Sequence, residues 1–474
     1  MAELDVIIIG AGLSGIGAGC RLSEEPGLTW AILEKRPDTG GTWDVFRYPG
    51  IRSDSSMQTL GYRFRPWKGD KDIASGQQIL DYIRQAAAER GVNRHIRTEH
   101  RVLAATWHGD LARWSLRVAH PGGEETLWAR FIIAGTGYYN NERGYAPDFP
   151  GVETFAGELV HPQHWGQTAF EGKRVAVIGS GATAVTLVPE LARSAASVTM
   201  IQRSPTDVVV MPEVVPGGRV GDIARGTLTY WFARRFPEVA RRSMLRDAQR
   251  ALGPDIDASR HFAPSYDPWD QRICVAPQGD LFKVLREGRA RVVTGEIDRF
   301  ETEGVRMRDG SLVAADLIVT ATGLELEFLG GIALDVDGRR LRPKDCALYR
   351  SAMLSGVPNM ILLTGYTNAS WTLRSGLSVD LFLKIYRHME RAGHAVVRAP
   401  TPPSALDGEA PLNSGYMRRG QDQIPLQGKR HPWRLSRYYV LDWLRETTTP
   451  VAWGLDYETR DARHLSTAKE AFAP

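Results

Sequence analysis

The chain has 474 residues, which is too long for a single hydrophobic core and predicts two or more domains. Its 43% hydrophobic and 24% charged residues are typical of a globular protein. The net charge of +4 comes from dispersed arginines, which argues against nucleic-acid binding, and three widely separated cysteines argue against a disulfide framework or a zinc site.

The start of the chain, MAELDVIIIG, lacks the basic segment of a signal peptide. No apolar run reaches the roughly 18 residues that a membrane-spanning helix needs. We therefore expect a cytoplasmic protein without an integral membrane segment. The sequence leaves the oligomeric state open.

The first predicted element is a strand followed by a dinucleotide-binding turn. The apolar run LDVIII is typical of a parallel strand buried on both faces. GAGLSG follows it, with Gly10 for the tight turn, Gly12 for close approach to a pyrophosphate and Gly15 for helix packing. Glu34 ends the next strand, 22 positions after Gly12, where an acid accepts from a ribose hydroxyl.

A second copy of this unit begins at RVAVIGSGATA. Gly179 and Gly181 match the fingerprint, with Ala184 in the third position. Arg203 stands 22 positions after Gly181, where the first copy has its acid. A guanidinium binds a 2′-phosphate that a carboxylate would repel, so the second unit predicts NADPH and the first an unphosphorylated dinucleotide. The alternative is that Arg203 is only a solvated charge at a strand end.

Each unit continues into alternating strands with turn signals, so the sequence predicts an α/β fold with two Rossmann-like domains. This doubling is typical of enzymes that hold FAD in one domain and NADPH in the other. A segment with helical period interrupts the second unit and predicts an inserted helical subdomain. A further strand within VPNMILLTGYTNAS is expected to return to the first domain, where Asn368 to Trp371 should approach the flavin ring. The predicted segments are 1–145 and 321–474 for the FAD domain and tail, 146–172 for a linker, 173–209 with 263–320 for the NADPH domain, and 210–262 for the insertion.

Two stretches outside the glycine turns narrow the chemistry. The cysteines argue against a disulfide reductase, because Cys20, Cys274 and Cys346 form no redox pair in sequence. The stretch GGTWDVFRYPGIRSD supplies a long motif, and FAGELVHPQHW supplies a short motif of the form FxGxxxHxxxW. The long motif consists of Gly41, Trp43, Tyr48, Pro49, Gly50 and Asp54, and the short motif of Phe155, Gly157, His161 and Trp165.

Together these motifs resemble those of the type I Baeyer–Villiger monooxygenases, a branch of the class B flavin monooxygenases. The stretches GTGYYN, YDPWDQR and GYTNASWTL are similar to the subgroup of the mycobacterial ethionamide-activating monooxygenase. Related N- and S-oxygenating enzymes usually end the short motif in Tyr or Phe, so Trp165 favours the Baeyer–Villiger branch. Gly166 departs from the Pro or Asp that often follows.

The resemblance implies an enzyme that uses NADPH, FAD and O2. Reduced flavin would add O2 to give a peroxyflavin that converts a ketone to an ester or lactone, or oxidises a sulfide or thiocarbonyl. It also implies a catalytic Arg272, fixed by Asp54. The alternative is that Arg272 pairs with Asp267 or Asp270 and that Asp54 caps a turn.

The remaining predicted roles concern the cofactors and the short motif. His161 and His164 lack further ligands at metal spacing, so we interpret the stretch as an interdomain hinge anchored by His161 and Trp165. The residues predicted to bind the cofactors are Gly10, Gly12, Gly15, Glu34, Lys35, Gly41, Thr42, Trp43, Asp54, Gly179, Gly181, Ala182, Thr183, Arg203, Ser204, Thr322, Gly323 and Asn368.

Two other functions remain open at this stage. One is an N- or S-hydroxylating flavin monooxygenase with the same cofactors, and the other is a non-catalytic flavoprotein that senses NADPH. The Pro-rich stretch 398–411 is predicted to be a surface loop or lid, and the stretch 431–439 a cover for the substrate side or a docking tail. The basic helix around Arg234–Arg250 predicts a solvated face or a membrane contact.

Overall fold

A computed structural model of the protein describes residues 3–402, 406, 408 and 412–459. Half of the predicted loop 398–411 therefore lies outside the described residues. The strands are β1 Glu3–Ile9, β2 Trp30–Leu33, β3 Ile96–Arg97, β4 Arg101–His108, β5 Arg113–His120, β6 Gly123–Ala134, β7 Tyr139–Gly144, β8 Glu158–Val160, β9 Arg174–Ile178, β10 Ser197–Gln202, β11 Val208–Met211, β12 Cys274–Pro277, β13 Ala290–Thr294, β14 Ile297–Glu301, β15 Gly304–Met307, β16 Leu312–Ala314, β17 Leu317–Thr320, β18 Leu324–Leu326, β19 Ala333–Val336, β20 Arg339–Leu341, β21 Leu348–Tyr349, β22 Met353–Leu354, β23 Met360–Leu362, β24 His394–Arg398 and β25 Asp456–Thr459.

The α-helices pack on these strands or join them. In chain order they are α1 Leu13–Leu22, α2 Thr42–Val45, α3 Met57–Leu60, α4 Gly76–Glu89, α5 Ala182–Leu191, α6 Gly218–Arg235, α7 Pro237–Leu252, α8 Ala258–His261, α9 Asp280–Arg286, α10 Trp371–Ala392, α11 Gly415–Arg419 and α12 Tyr439–Thr448.

The first sheet is built around β1, whose residues Val6–Ile9 are buried. Strands β2 and β6 flank β1 in parallel, and β3 continues the sheet beyond β2. Strands β4, β5 and β6 form an antiparallel meander, and β19 and β20 extend it. The predicted return of the chain is confirmed, because β23 pairs in parallel with β6.

The second sheet is parallel, in the order β13, β10, β9, β17 and β8. A separate antiparallel sheet of β14, β15 and β16 packs beside it. The predicted α/β class with two nucleotide-binding domains is therefore confirmed. The edge strand β8 comes from the short motif, which the sequence placed in the linker 146–172 without a strand, since three residues are too few to give a period.

The predicted insertion contains α6, α7 and α8. Strands β11 and β12 pair in parallel at its base, so the chain leaves and re-enters the second domain at one place. Two further strands connect the domains. β7 leaves the first domain, β18 returns to it, and the two pair antiparallel. Among the described residues, no helix has the length and apolar character needed to span a bilayer.

A buried charge cluster attaches α12 to α10. The Glu446 carboxylate accepts from Arg350, and its other oxygen lies 3.5 Å from the guanidinium of Arg374. Asp442 lies 3.8 Å from Arg374 and accepts a 2.7 Å hydrogen bond from the Tyr366 hydroxyl. The four charged side chains are all at most 7% exposed. The cluster holds the carboxylate face of α12 against the first domain.

Replacing one of these carboxylates by an amide leaves buried arginine charge without compensation. We expect Glu446→Gln to lower the free energy of unfolding by about 3–5 kcal/mol. Thr447→Gln, on the exposed side of the same helix, is the matched control and should change it by less than about 0.5 kcal/mol. Denaturant unfolding of the two variants checks this, and equal midpoints would contradict the assignment.

Candidate functional site

A cavity of about 340 Å³ lies between the two nucleotide-binding domains. It collects residues that are far apart in the sequence, from the first glycine turn, the long motif, α5 and the loop before β12. The predicted residues that line it are Gly10, Gly12, Glu34, Lys35, Gly41, Thr42, Trp43, Asp54, Ala182, Thr183 and Arg272. The predicted residues that do not line it are Gly15, Gly179, Gly181, Arg203, Ser204, Thr322, Gly323 and Asn368.

The first glycine turn has the geometry of a phosphate-binding loop. Gly10 has a φ of +100°, and a Cβ there would come within 2.7 Å of the Gly135 carbonyl oxygen. A Cβ on Gly15 would lie 1.8 Å from the Gly10 carbonyl oxygen, so the predicted close packing is confirmed. Helix α1 begins after Gly12 without a side-chain cap, which leaves its first N–H groups for an anion.

Glu34 lines the cavity and also binds the backbone of the first glycine turn. Its carboxylate accepts hydrogen bonds from the backbone N–H groups of Ala11, at 2.7 Å, and Arg36, at 3.0 Å. Burial raises the pKa of this carboxyl group. Each oxygen keeps a second acceptor position, so the residue can fix the turn and still accept from a hydroxyl.

The long motif connects the two domains. Gly41 has a φ of +56°, and a Cβ there would lie 2.8 Å from the Gly12 Cα. Gly50 has a φ of +74°, and its Cβ would lie 3.0 Å from the Glu190 side chain on α5. Tyr48 hydrogen-bonds Thr183, also on α5, and burial raises the pKa of Tyr48 to about 12. The motif is therefore an interdomain contact as well as a cavity wall.

Arg272 and Asp54 form the pair that the sequence predicted. The Arg272 Nε lies 2.9 Å from Asp54 Oδ2, and Nη2 donates to Oδ1 at 3.2 Å. Asp54 holds the pKa of Arg272 above its usual value, so the guanidinium stays protonated. The alternative pairing is wrong for a clear reason: Asp267 and Asp270 bind other arginines, Arg241 at 2.7 Å and Arg234 at 2.6 Å.

Tyr138 and Tyr139 line the cavity but were not among the predicted site residues, whereas Trp371, which also lines it, ends the stretch 368–371 that was expected to approach the flavin. Tyr138 stacks on Trp371 with ring centroids 5.1 Å apart, and the Trp371 indole donates to Ser14 Oγ at 2.8 Å. Tyr139 hydrogen-bonds Thr42, and burial raises the pKa of Tyr139 to about 12. The place of GTGYYN in the sequence could have identified Tyr138 and Tyr139, because this stretch follows the carboxyl end of a parallel strand, where ligands bind in such sheets.

The second glycine turn leaves an open cradle. Gly179 has a φ of +134°, and a Cβ there would come within 2.3 Å of the Ala321 carbonyl oxygen, whereas a Cβ on Gly181 would meet nothing within 4 Å. Arg203 is exposed just beyond β10 and makes no hydrogen bond or ion pair with any residue that the structure describes. Ser204 lies beside it, and its carbonyl oxygen accepts from Ser180.

His161 of the short motif lies against the strands that join the domains. A Cβ on Gly144, at the end of β7, would lie 1.9 Å from the His161 ring. The Nδ1 atom accepts from the Gln163 backbone N–H at 3.2 Å, and burial lowers the pKa of His161. Thr322, just before β18, donates to the Tyr145 carbonyl oxygen at 2.5 Å, and Tyr145 N–H donates to the Gly323 carbonyl oxygen at 3.1 Å.

The other short-motif residues pack within the second domain. Trp165 is buried in its core, and Phe155 contacts Phe300 beside the antiparallel sheet. A Cβ on Gly157 would lie 2.5 Å from the Asp316 carbonyl oxygen, so the backbone needs a glycine there. Asn368 lies apart from the cavity and donates to the Arg437 carbonyl oxygen at 2.9 Å.

Comparison with known proteins places this geometry in context. Residues 3–223 match the family described as flavin-binding monooxygenase-like. The chain is 44% identical over 461 residues to the FAD-containing monooxygenase EthA of Mycolicibacterium smegmatis, covering 93% of this chain and 94% of that protein. It is 45% identical over 470 residues to the putative FAD-containing monooxygenase MymA of Mycobacterium tuberculosis, with the same coverage.

Solved structures with the same fold are more distant in sequence. A steroid monooxygenase bound to NADP superposes with a TM-score of 0.77 at 21% identity, over 97% of this chain and all of that one. An open cyclohexanone monooxygenase superposes with a TM-score of 0.75 at 19% identity, again over 97% of this chain and all of that one.

Proposed function

This chain belongs to the FAD-containing, flavin-binding monooxygenases, and from that premise we propose that it inserts one oxygen atom of O2 into ketones to give esters or lactones. We further propose that it oxidises sulfides or thiocarbonyls at the same site. The observation that carries the proposal is the Arg272–Asp54 pair in a cavity between two dinucleotide turns. The long and short motifs and the ketone in the name of the cyclohexanone monooxygenase support the same reaction.

The residues fit the two cofactors. The uncapped start of α1, between Gly12 and Gly41, leaves room and free N–H groups for the pyrophosphate of FAD. The open space at Gly181 and the unpaired Arg203 suit the pyrophosphate and 2′-phosphate of NADPH. When bound, FAD that has been reduced by NADPH supplies the chemistry that activates O2.

The side chains around the cavity have separate tasks in this proposal. Arg272 provides a fixed positive charge for the negative charge that develops when the carbonyl is attacked. Asp54 accepts a hydrogen bond from Nη2 of Arg272 and lies 2.9 Å from its Nε, which limits the directions in which the guanidinium can point. Tyr138 and Trp371, stacked face to face, exclude water from one wall of the cavity.

We also propose that His161 couples the two domains during turnover. Its ring packs on β7 next to the β18 crossing, so a change in the relative position of the domains would have to move it. Trp165 anchors the same segment in the second domain.

Removing the Arg272 charge should separate cofactor chemistry from oxygen transfer. We expect Arg272→Ala to bind FAD and accept hydride from NADPH, but to yield roughly 100- to 1000-fold less oxygenated product. Arg299→Ala, which removes an exposed arginine of the same domain, is the control. The measurement is flavin bleaching without O2, then product analysis in air with a cyclic ketone and a thioether.

Wild-type product yields from Arg272→Ala would refute the role of Arg272 in oxygen transfer. Sulfoxide without any ester from the wild-type enzyme would favour the N- or S-oxygenating alternative.

Arg203 should determine the choice of nicotinamide cofactor. Losing a charge-assisted contact with the 2′-phosphate should raise the KM for NADPH roughly 10- to 100-fold in Arg203→Ala and leave the KM for NADH unchanged. Arg193→Ala, another exposed arginine of this domain, should change neither constant. Initial rates of nicotinamide oxidation check this, and an unchanged NADPH preference would leave Arg203 as a solvated charge.

A test of the His161 role uses His161→Ala. We expect a severalfold increase in NADPH consumed without oxygenated product, because the domains no longer move together. Unchanged NADPH affinity, flavin reduction and coupling of NADPH use to product would contradict this role of His161.

A further inference from the structure

Helix α12 has its acidic side chains inside and its apolar side chains outside, the reverse of an ordinary surface helix. Asp442 and Glu446, the acidic residues of this helix, are buried in the charge cluster. The exposed side chains include Val440, Leu441, Trp443 and Leu444, each between 42% and 50% exposed. The outward face of α12 therefore carries four large apolar side chains together with Arg445, Thr447 and Thr448, and no negative charge.

The corner between α6 and α7 has a second set of exposed apolar side chains. Trp231 and Phe232 each contact Phe236, with ring centroids 6.3 and 5.4 Å apart. Contiguous exposed apolar clusters are uncommon on soluble monomeric proteins, and they often mark a surface that binds a partner or a membrane. The exposed apolar side chains at this corner are Trp231, Phe232, Phe236 and Val239, and Val220 and Leu228 are exposed further back along α6.

The two sets lie on neighbouring helices. Tyr230 of α6 packs on Tyr438, just before α12, with ring centroids 5.4 Å apart. The Arg437 guanidinium donates to the Tyr230 hydroxyl at 3.2 Å. Because α6 and α12 are in contact, we treat their outward faces together with the start of α7 as one feature, the outer surface.

The charge of the outer surface is positive. Helices α6 and α7 contain eight arginines and three acidic residues, and each acid already has an arginine partner within 3.6 Å. Arg242 and Arg246 are exposed and make no ion pair with any described residue, and they share the face of α7 that begins at Val239. Arg235 lies over the Phe236 ring at 5.1 Å.

We propose that the outer surface binds the headgroup region of an anionic lipid bilayer. Exposed tryptophan and phenylalanine suit the boundary between headgroups and acyl chains, and the arginines beside them suit lipid phosphates. A second copy of this chain would oppose the same positive surface to itself. Charge complementarity therefore favours an anionic membrane over self-association.

The same helices hold the loop that carries Arg272. Arg234 and Arg241 bind Asp270 and Asp267, and Tyr230 stacks on Trp269. Variants that test the outer surface should leave these contacts intact. Trp443, Leu444, Arg242 and Arg246 make none of them.

The experiment is flotation of the FAD-loaded full chain with vesicles of phosphatidylcholine alone or with one quarter phosphatidylglycerol. We expect flotation with the anionic vesicles, at least tenfold less with neutral ones, and loss of binding at high salt. Trp443→Glu with Leu444→Glu should lower the bound fraction at least tenfold. Arg242→Gln with Arg246→Gln should weaken binding to anionic vesicles about fivefold for each arginine.

Leu159→Glu is the matched control, because Leu159 is 44% exposed on the edge strand β8 of the second sheet. It should bind vesicles like the wild type, and all variants should retain FAD and the wild-type unfolding midpoint. The proposal is overturned if wild-type protein does not float with anionic vesicles, or if the α12 variant floats as well as the wild type. Light scattering that showed loss of a dimer in the α12 variant, without vesicle binding by the wild type, would assign the surface to self-association instead.

Discussion

The ion pair between Asp54 and Arg272 is the constraint on which the rest of the site depends. One partner ends the long motif of the first domain, and the other precedes β12 at the base of the insertion. Their paired N–H···O contacts require the two domains to lie together at the cavity. The Asp54 carboxylate orients a permanent cation whose side chain is 43% exposed. The same pairing keeps the guanidinium available, through its remaining N–H groups, to a negative group in the cavity.

Backbone contacts bring the domains close enough for that pair to form. Gly41 allows the long motif to pass over the first glycine turn, and Gly50 allows it to touch α5. Behind the cavity, β7 and β18 pair where the chain crosses between domains, with His161 packed on β7. Glycines at these crossings let a neighbouring backbone or side chain approach more closely than a Cβ would permit. The nucleotide turns and the segment around His161 therefore follow the same steric rule.

The charge cluster under α12 connects the stability of the first domain with the character of the surface. Arg350 and Arg374 bind the carboxylates of the helix, so burial of charge leaves Val440, Trp443 and their neighbours facing outward. The insertion has a comparable double role. Its inner side chains Arg234 and Arg241 fix the loop of Arg272, while its outer side chains contribute to the apolar, basic surface.

The sequence by itself determined the two nucleotide-binding units, because glycine spacing, buried strands and the residue at the end of the second strand are local patterns. The resemblance to a known family predicted the pair of Asp54 and Arg272, through motifs that occupy short stretches. The sequence could not identify Tyr138 and Tyr139 as walls of the cavity, nor separate Trp371, which lines the cavity, from Asn368, which does not, because cavity walls depend on which strand ends meet. It missed the edge strand β8, which is stabilised by pairing with β17 rather than by its own three residues. The inverted orientation of α12 was likewise decided only by the tertiary structure, since helical periodicity cannot say that two buried arginines will draw the acidic face inward.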